Sequence, residues 1–204
     1  MKYYYREKYI SNARRVVLKI GTKALLSHHH DIEKDRIHRL IDDICYFRDQ
    51  DYLFSIVTSG AVGLGMNAMK IGNRPSDLKK VQAYASIGQS LLMRKWTEMF
   101  QERGVHAGQI LLTYDIVENR NRFLYARDCL NTLLEFGAIP IINENDSVAV
   151  DELKFGENDI LSALSSHLMG ADLLILFTDT EGVFDKNPHK YSGATRISLI
   201  EHID

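Results

Sequence analysis

The sequence predicts an α/β fold in which a parallel sheet carries helices on both faces, and two observations support that expectation. Short apolar runs recur along the chain, each followed at once by small or polar residues, which is how strands buried on both faces of a sheet read. Between them lie segments with apolar residues at helical spacing, and strands alternating with helices of that length build βαβ units.

The runs are "VVLKI" (16–20), "YLFSIVT" (52–58), "GQILLT" (108–113), "AIPII" (138–142) and "DLLILFT" (172–178). A first helix is expected through Ile37, Leu40, Ile41 and Ile44. A second runs through Val81, Ala85, Gly88, Leu92, Trp96 and Met99 and stops at Gly104, since glycine just past the last periodic residue is a common helix end. A third passes through Phe123, Ala126, Leu130 and Leu133 to Gly137, and a fourth runs from Asn158 to about Met169, ending near Gly170. Trp96, Met99 and Phe100, at helical spacing, are expected in the core.

Composition excludes several function classes. The 204 residues are 45% hydrophobic, enough to bury one large core or two small ones and too many for a disordered chain. A formal net charge of -2 gives no electrostatic case for nucleic acid or an anionic membrane, both of which need a concentrated basic face. Only Cys45 and Cys129 occur, so a disulfide framework is not expected and a reducing compartment, the cytoplasm, is the simple reading. The opening "MKYYYREKYISNARR" is charged throughout, and residues 1–15 read as a short extension rather than a signal peptide or a membrane span. No metal site is expected at His28 to His30, because adjacent residues seldom direct three imidazoles to one ion.

Open parallel sheets bind ligands in the crevice beyond the carboxyl ends of their strands. That rule directs attention to Lys19–Lys23, Thr58–Gly65, Asn143–Asp146 and Thr178–Gly182, the residues just past four of the runs. Lys19 lies in the last residues of a buried strand, where an unpaired ammonium is costly; it either points to solvent or faces the crevice and neutralises phosphate. No GxxxxGK[ST] is present, so this is not a P-loop. "VTSGAVGLGMNA" offers Ser59 and then Gly60, Gly63 and Gly65 running into a helix, a turn whose N–H groups could approach an anion or could simply be tight. Gly63 to Ala68 also fits GxGxxA, but its first glycine lies well beyond the strand, and a nicotinamide cofactor is discounted.

"NENDSVAVDELKFGEND" (143–159) sets two clusters of acids and amides around a short link. Local chemistry allows a plain reading, with Asn158 or Glu157 capping the helix and Asn145-Asp146-Ser147 forming an Asx-type turn. The other reading makes them two sides of a ligand site, because Asp146 follows a strand and Asn158 starts a helix, both where the crevice should lie. "FTDTEGVFDKNP", with Thr178, Asp179, Gly182 and Asp185, reads either as a turn or as a nucleotide-contacting edge.

Taken in order, "VVLKIGT", "IVTSGAVGLG", "QAYASIGQSLL", "GQILLT", "IPIINENDSVAVDELKFGENDILSAL" and "LLILFTDTEGVFDKNP" closely resemble the glutamate 5-kinases, a branch of the amino acid kinase family. The "INENDSVAVDELKFGENDILSA" segment is the most specific part of the match. The resemblance implies a three-layer αβα sandwich with a mainly parallel central sheet, over residues 16–204. It implies ATP-dependent phosphorylation of the glutamate side-chain carboxylate, the first step of proline biosynthesis, with ATP and Mg²⁺ as cofactors. Matched by position, Lys19 is an ATP-binding and catalytic lysine, Asp159 an organising acid of the active site, and Ser59, Asp146 and Asn158 hold glutamate. Gly21, Thr178 and Asp179 fall at nucleotide-contacting positions. Proline as feedback inhibitor and assembly into dimers or tetramers are further family expectations, and neither nucleic acid nor membrane is an expected partner.

The chemistry suits these residue types. A glutamate side-chain carboxyl ordinarily titrates at about pH 4.3 and is ionised at neutral pH, so the nucleophile needs no general base. The task is to hold that anion against a phosphoryl group, with charge neutralised by Lys19, by backbone N–H groups of Gly21 and the Gly60 turn, and by Mg²⁺. Two departures from the family pattern stand out. Position 23 is Lys where the family usually has a small residue. The sequence ends at Asp204, before the glycine-rich, lysine-bearing segment that closes over ATP in the family and before the C-terminal PUA-like domain of many members. The kinase domain is therefore expected to be incomplete at that end, and the alternatives to an active glutamate kinase are a truncated relative that binds glutamate or proline without turnover and another carboxylate kinase of the amino acid kinase family.

Overall fold

The structure, a computed structural model, describes residues 7, 10–26, 32–149 and 158–200. Five parallel strands form one sheet in the order β3-β4-β2-β1-β5. They are β1 (Arg15–Ile20), β2 (Leu53–Thr58), β3 (Ala107–Leu112), β4 (Ile139–Glu144) and β5 (Leu173–Phe177). All five expected runs are strands, with ends shifted by a residue or two. The helices are α1 (Thr22–Leu25), α2 (Lys34–Arg48), α3 (Ala61–Ala68), α4 (Leu78–Gln101), α5 (Arg120–Glu135) and α6 (Asp159–Met169), with a 3₁₀ turn at Tyr114–Glu118. Two helices start on the cap chemistry their sequences offer: Asp77 accepts from the Lys79 N–H at 3.1 Å and Asn119 from the Arg122 N–H at 3.1 Å, filling donors that a helix start leaves unpaired.

Strand alternation divides the core into two layers. Val16, Leu18 and Ile20 of β1 pack with Phe54, Ile56, Ile139 and Ile141 against α2, α3 and α4, around fully buried Trp96 and Phe100. Val17, Val57, Ile110 and Ile142 face the other way, against α5 and α6 through Leu130, Leu134, Leu161 and Leu168. The architecture is thus a three-layer αβα sandwich. Among the described residues no helix is long and apolar enough to cross a membrane. His28 to His30 lie outside the described residues.

Gly65 and Gly88 set the spacing of two helices. A Cβ on Gly65 would stand 1.9 Å from the Tyr84 carbonyl oxygen, and one on Gly88 would stand 1.7 Å from that of Ala61. Backbone therefore meets backbone where α3 crosses α4. The sequence left the Gly60, Gly63 and Gly65 turn open between anion approach and a merely tight turn; Gly63 and Gly65 lie inside α3, and Gly65 serves helix packing. The turn itself belongs to Gly60, whose φ of 105° is one that residues with a Cβ rarely adopt.

Candidate functional site

The parity that sorts the core also aims the polar residues at the carboxyl ends of the strands. Lys19 alternates with Leu18 and Ile20 and so shares a face with Val17, beneath the start of α6. There its Nζ meets Asp159 Oδ1 at 2.7 Å, with the lysine side chain 5% exposed and the aspartate 55% exposed. Pairing is what makes burial of the ammonium tolerable. The solvent-facing reading of Lys19 is thus replaced by an ion pair that leaves half of the carboxylate open.

Thr58 and Asn143 point to the opposite face. The Thr58 hydroxyl accepts from Trp96 Nε1 at 3.2 Å, and Asn143 Nδ2 donates to Gln89 Oε1 of α4 at 2.8 Å. Asn158 joins these strand ends. Its Nδ2 donates to Asn143 Oδ1 at 2.8 Å, to Ser59 Oγ at 2.9 Å and to the Thr58 carbonyl. A carbonyl can only accept, so the orientation of the amide is fixed. Asn158 occupies the N-cap position of α6 without a side-chain cap bond; its side chain ties β2 to β4 instead. Its amide hydrogens are all engaged by protein, which leaves the acceptor oxygen as the side-chain group able to meet a ligand in the cavity that Asn158 lines.

The turn reading of 145–147 is met as well, with Asn145 as the residue whose side chain closes it. Asn145 accepts from Ser147 Oγ at 2.8 Å, and its carbonyl accepts from the N–H groups of Val148 and Ala149 at 3.0 and 3.1 Å. Gln82 Nε2 holds the Ala149 carbonyl at 3.0 Å. Asp146 holds a central position of that turn and lines a cavity of about 440 Å³ together with Ser59, Gly60, Asn143, Glu144, Asn158, Thr22 and Arg74. That volume is in the range of small-molecule sites.

Two carboxylates give the cavity its character. Burial pushes the Asp146 carboxyl above the ordinary range, against the pull of the Arg74 guanidinium. Burial and then the Asp146 charge do the same to Glu144. The Tyr114 phenol is pushed up to about 12, by burial first and then by Glu144, Asp146 and Asp159. A half-buried pair of acids that repel one another favours a bound cation.

A second cavity, of about 90 Å³, is lined by Lys19, Gly21, Lys23, Phe177, Thr178 and Asp179, and shares Thr22 with the first. Lys23 Nζ sits 2.6 Å from Asp179 Oδ2, with the lysine side chain 80% exposed. This contact holds the Asp179 carboxyl below its usual range. The Gly21 N–H donates to the Phe177 carbonyl at 3.4 Å, tying the end of β1 to β5. A Cβ at Gly21 would stand 3.4 Å from Lys19 Nζ.

The structure therefore gathers all eight residues singled out from the sequence along one edge of the sheet, in two groups. Ser59, Asp146 and Asn158 border the larger cavity; Lys19, Gly21, Thr178 and Asp179 border the smaller; Asp159 reaches the second group through Lys19. Sequence reasoning missed Arg74, Gln89 and Tyr114. Arg74 lies in "IGNRPSD", a stretch that reads only as a loop, and Gln89 hides on a helix whose apolar stripe drew attention elsewhere.

A parallel sheet with two adjoining cavities beyond its strand ends, one lined by two carboxylates and the other by two paired lysines, is the arrangement in which open α/β folds place their ligand sites. Residues 14–204 match the amino acid kinase family, and the chain belongs to that family. It is 45% identical over 198 residues to a glutamate 5-kinase of Syntrophotalea carbinolica, covering 97% of this chain and 53% of that protein. A glutamate 5-kinase of a Marinomonas species is 44% identical over 199 residues, covering 98% and 53%. The chain thus spans about half the length of the curated relatives it matches. Among solved structures, an isopentenyl phosphate kinase superposes with a TM-score of 0.63 at 18% identity, covering 92% of this chain and 81% of that one. The UMP kinase of Ureaplasma parvum gives 0.59 at 14%, covering 91% and 75%. At such identity these two structures speak for the fold alone.

Proposed function

We propose that the chain forms the acceptor site and part of the nucleotide site of a kinase that transfers the γ-phosphoryl group of ATP to the side-chain carboxylate of glutamate. The observation that carries this reading is the placement of the buried Lys19, paired with Asp159, beside two adjoining cavities, one lined by Asp146 and Glu144 and the other by Lys19 and Lys23. The likeness to glutamate 5-kinases along the whole chain supports it.

In this reading the acidic cavity holds the amino acid with its ammonium toward Asp146 and Glu144 and toward the Asn158 oxygen. The reacting carboxylate lies toward Thr22, the residue common to both cavities. Ser59 and the start of α3 at Gly60 offer it a hydroxyl and N–H groups. The carboxylate is ionised and attacks without a base. Lys19 then neutralises charge on the transferring phosphoryl group, with Asp159 fixing the ammonium in place. Asp179 lines the smaller cavity and Asp159 pairs with the lysine that lines it; one or two carboxylates beside phosphate oxygens are a usual ligand set for Mg²⁺, which would add charge neutralisation when bound.

Two measurements on the intact chain test this. Calorimetry should detect glutamate binding, and hydroxylamine should trap an acyl phosphate that requires ATP, Mg²⁺ and glutamate together. Binding without product would mark a chain that holds the acceptor without turnover; absence of both would reject the reading.

A further inference from the structure

Glutamate carries three charged groups, and the proposed reading gives partners to two of them: the ammonium at the acids and the reacting carboxylate at the Thr22 end. The α-carboxylate still needs a donor. Asn158 cannot supply it, because its Nδ2 is engaged by Thr58, Ser59 and Asn143. Lys19 lines the other cavity and is held by Asp159.

Among the described residues, Arg74 is the one cationic side chain lining the acidic cavity. It sits on the loop between α3 and α4, beside Gly72. Its guanidinium forms no ion pair within 4.0 Å with a described residue, yet it lies close enough to Asp146 to draw that carboxyl's pKa down. A planar fork of donors that faces a cavity and has no ion-pair partner among the described residues matches a carboxylate in bidentate geometry. Placed beside Asp146, it would present a cation and an anion side by side, the charge pattern complementary to the adjacent ammonium and carboxylate of an α-amino acid.

We infer that Arg74 holds the α-carboxylate of the acceptor and so makes the site specific for an amino dicarboxylate rather than for a carboxylate alone. The inference rests on the proposed glutamate site, and the experiment separates the two. The intact chain and its Arg74→Met and Arg74→Lys variants are titrated by calorimetry with glutamate and with its α-amide, which keeps the ammonium and the side-chain carboxylate but carries no α charge. Hydrogen bonds to a charged group are worth roughly 10-fold to 100-fold, and the exposure of Arg74 places the expectation near the low end.

Wild type should therefore bind glutamate about 10-fold more tightly than the α-amide. Arg74→Met should bind the two alike, with its affinity for the α-amide unchanged, and Arg74→Lys should restore part of the preference. Because Arg74 is exposed, the variants should melt with wild type. An Arg74→Met protein that keeps the wild-type preference, or that loses both ligands equally, overturns the assignment. Wild-type protein that binds no glutamate overturns the parent reading and this inference with it.

Discussion

Replacing Gly88 by alanine should loosen the fold at the helix crossing that supports the site. The added Cβ would stand 1.7 Å from the Ala61 carbonyl oxygen and 2.6 Å from the Gly65 nitrogen, both backbone atoms that cannot rotate away. Restoring van der Waals distance requires α3 and α4 to part by roughly 1.5 Å. Overpacking of this kind costs about 1–3 kcal/mol, and contact with rigid backbone favours the upper end. Alanine's better helix propensity returns about 1 kcal/mol, leaving a net loss of about 2 kcal/mol. For a chain of this size that is a fall of about 4–8 °C in Tm. The control is Gly72→Ala, where the new Cβ meets nothing within 4 Å and the expected change is within about 1 kcal/mol. Thermal melts of wild type and both variants decide the matter. Gly65→Ala should behave like Gly88→Ala, and the double variant should cost less than the sum, since the helices part only once. A Gly88→Ala protein that melts with wild type would refute the close approach of these helices.

Two further expectations concern charge. Lys19→Met, which keeps the buried stem and leaves Asp159 half-solvated, should cut the kcat of the proposed phosphoryl transfer by about 10² to 10³ while leaving the calorimetric glutamate affinity within about threefold; a change confined to glutamate affinity would remove Lys19 from the transfer step. Asp146→Asn should raise Tm at neutral pH while weakening glutamate binding: burial raises the Asp146 pKa, so the charged form destabilises the fold, and wild-type stability gains as pH falls through that raised value. The Tm advantage of the variant should therefore shrink in acid, and an advantage that grows toward low pH would contradict the sign.

The sheet was legible because buried parallel strands leave continuous apolar runs, and each of the five did so. Lys19, Asp146 and Asn158 were legible as positions, since each ends a strand or starts a helix, and as a family match. Their contacts were not. Whether Asn158 caps its own helix or reaches across to β2 and β4 depends on where α6 returns over the sheet, a long-range fact with no local signature. The roles of the glycines of "GAVGLG" stayed open for a related reason: Gly60 is needed for φ and Gly65 for space, and a string of glycines does not say which. Arg74 and Gln89 left no mark because a loop arginine and a polar residue on a helix are ordinary at any surface.

The contacts of Asn158 and Asp159 explain why neighbouring residues at one helix start carry such different chemistry. Asp159 meets Lys19 on the face of the sheet that holds α5 and α6, while Asn158 reaches Thr58 and Asn143, whose side chains turn toward α3 and α4. The start of α6 thus straddles the sheet edge and binds three strand ends, β1 through Lys19, β2 through Thr58 and β4 through Asn143. Any displacement of α6 would disturb the lysine of one cavity and the amide of the other together. The two halves of the site are in this way coupled through a single helix terminus, and their spacing is set by strands whose register is fixed by the core.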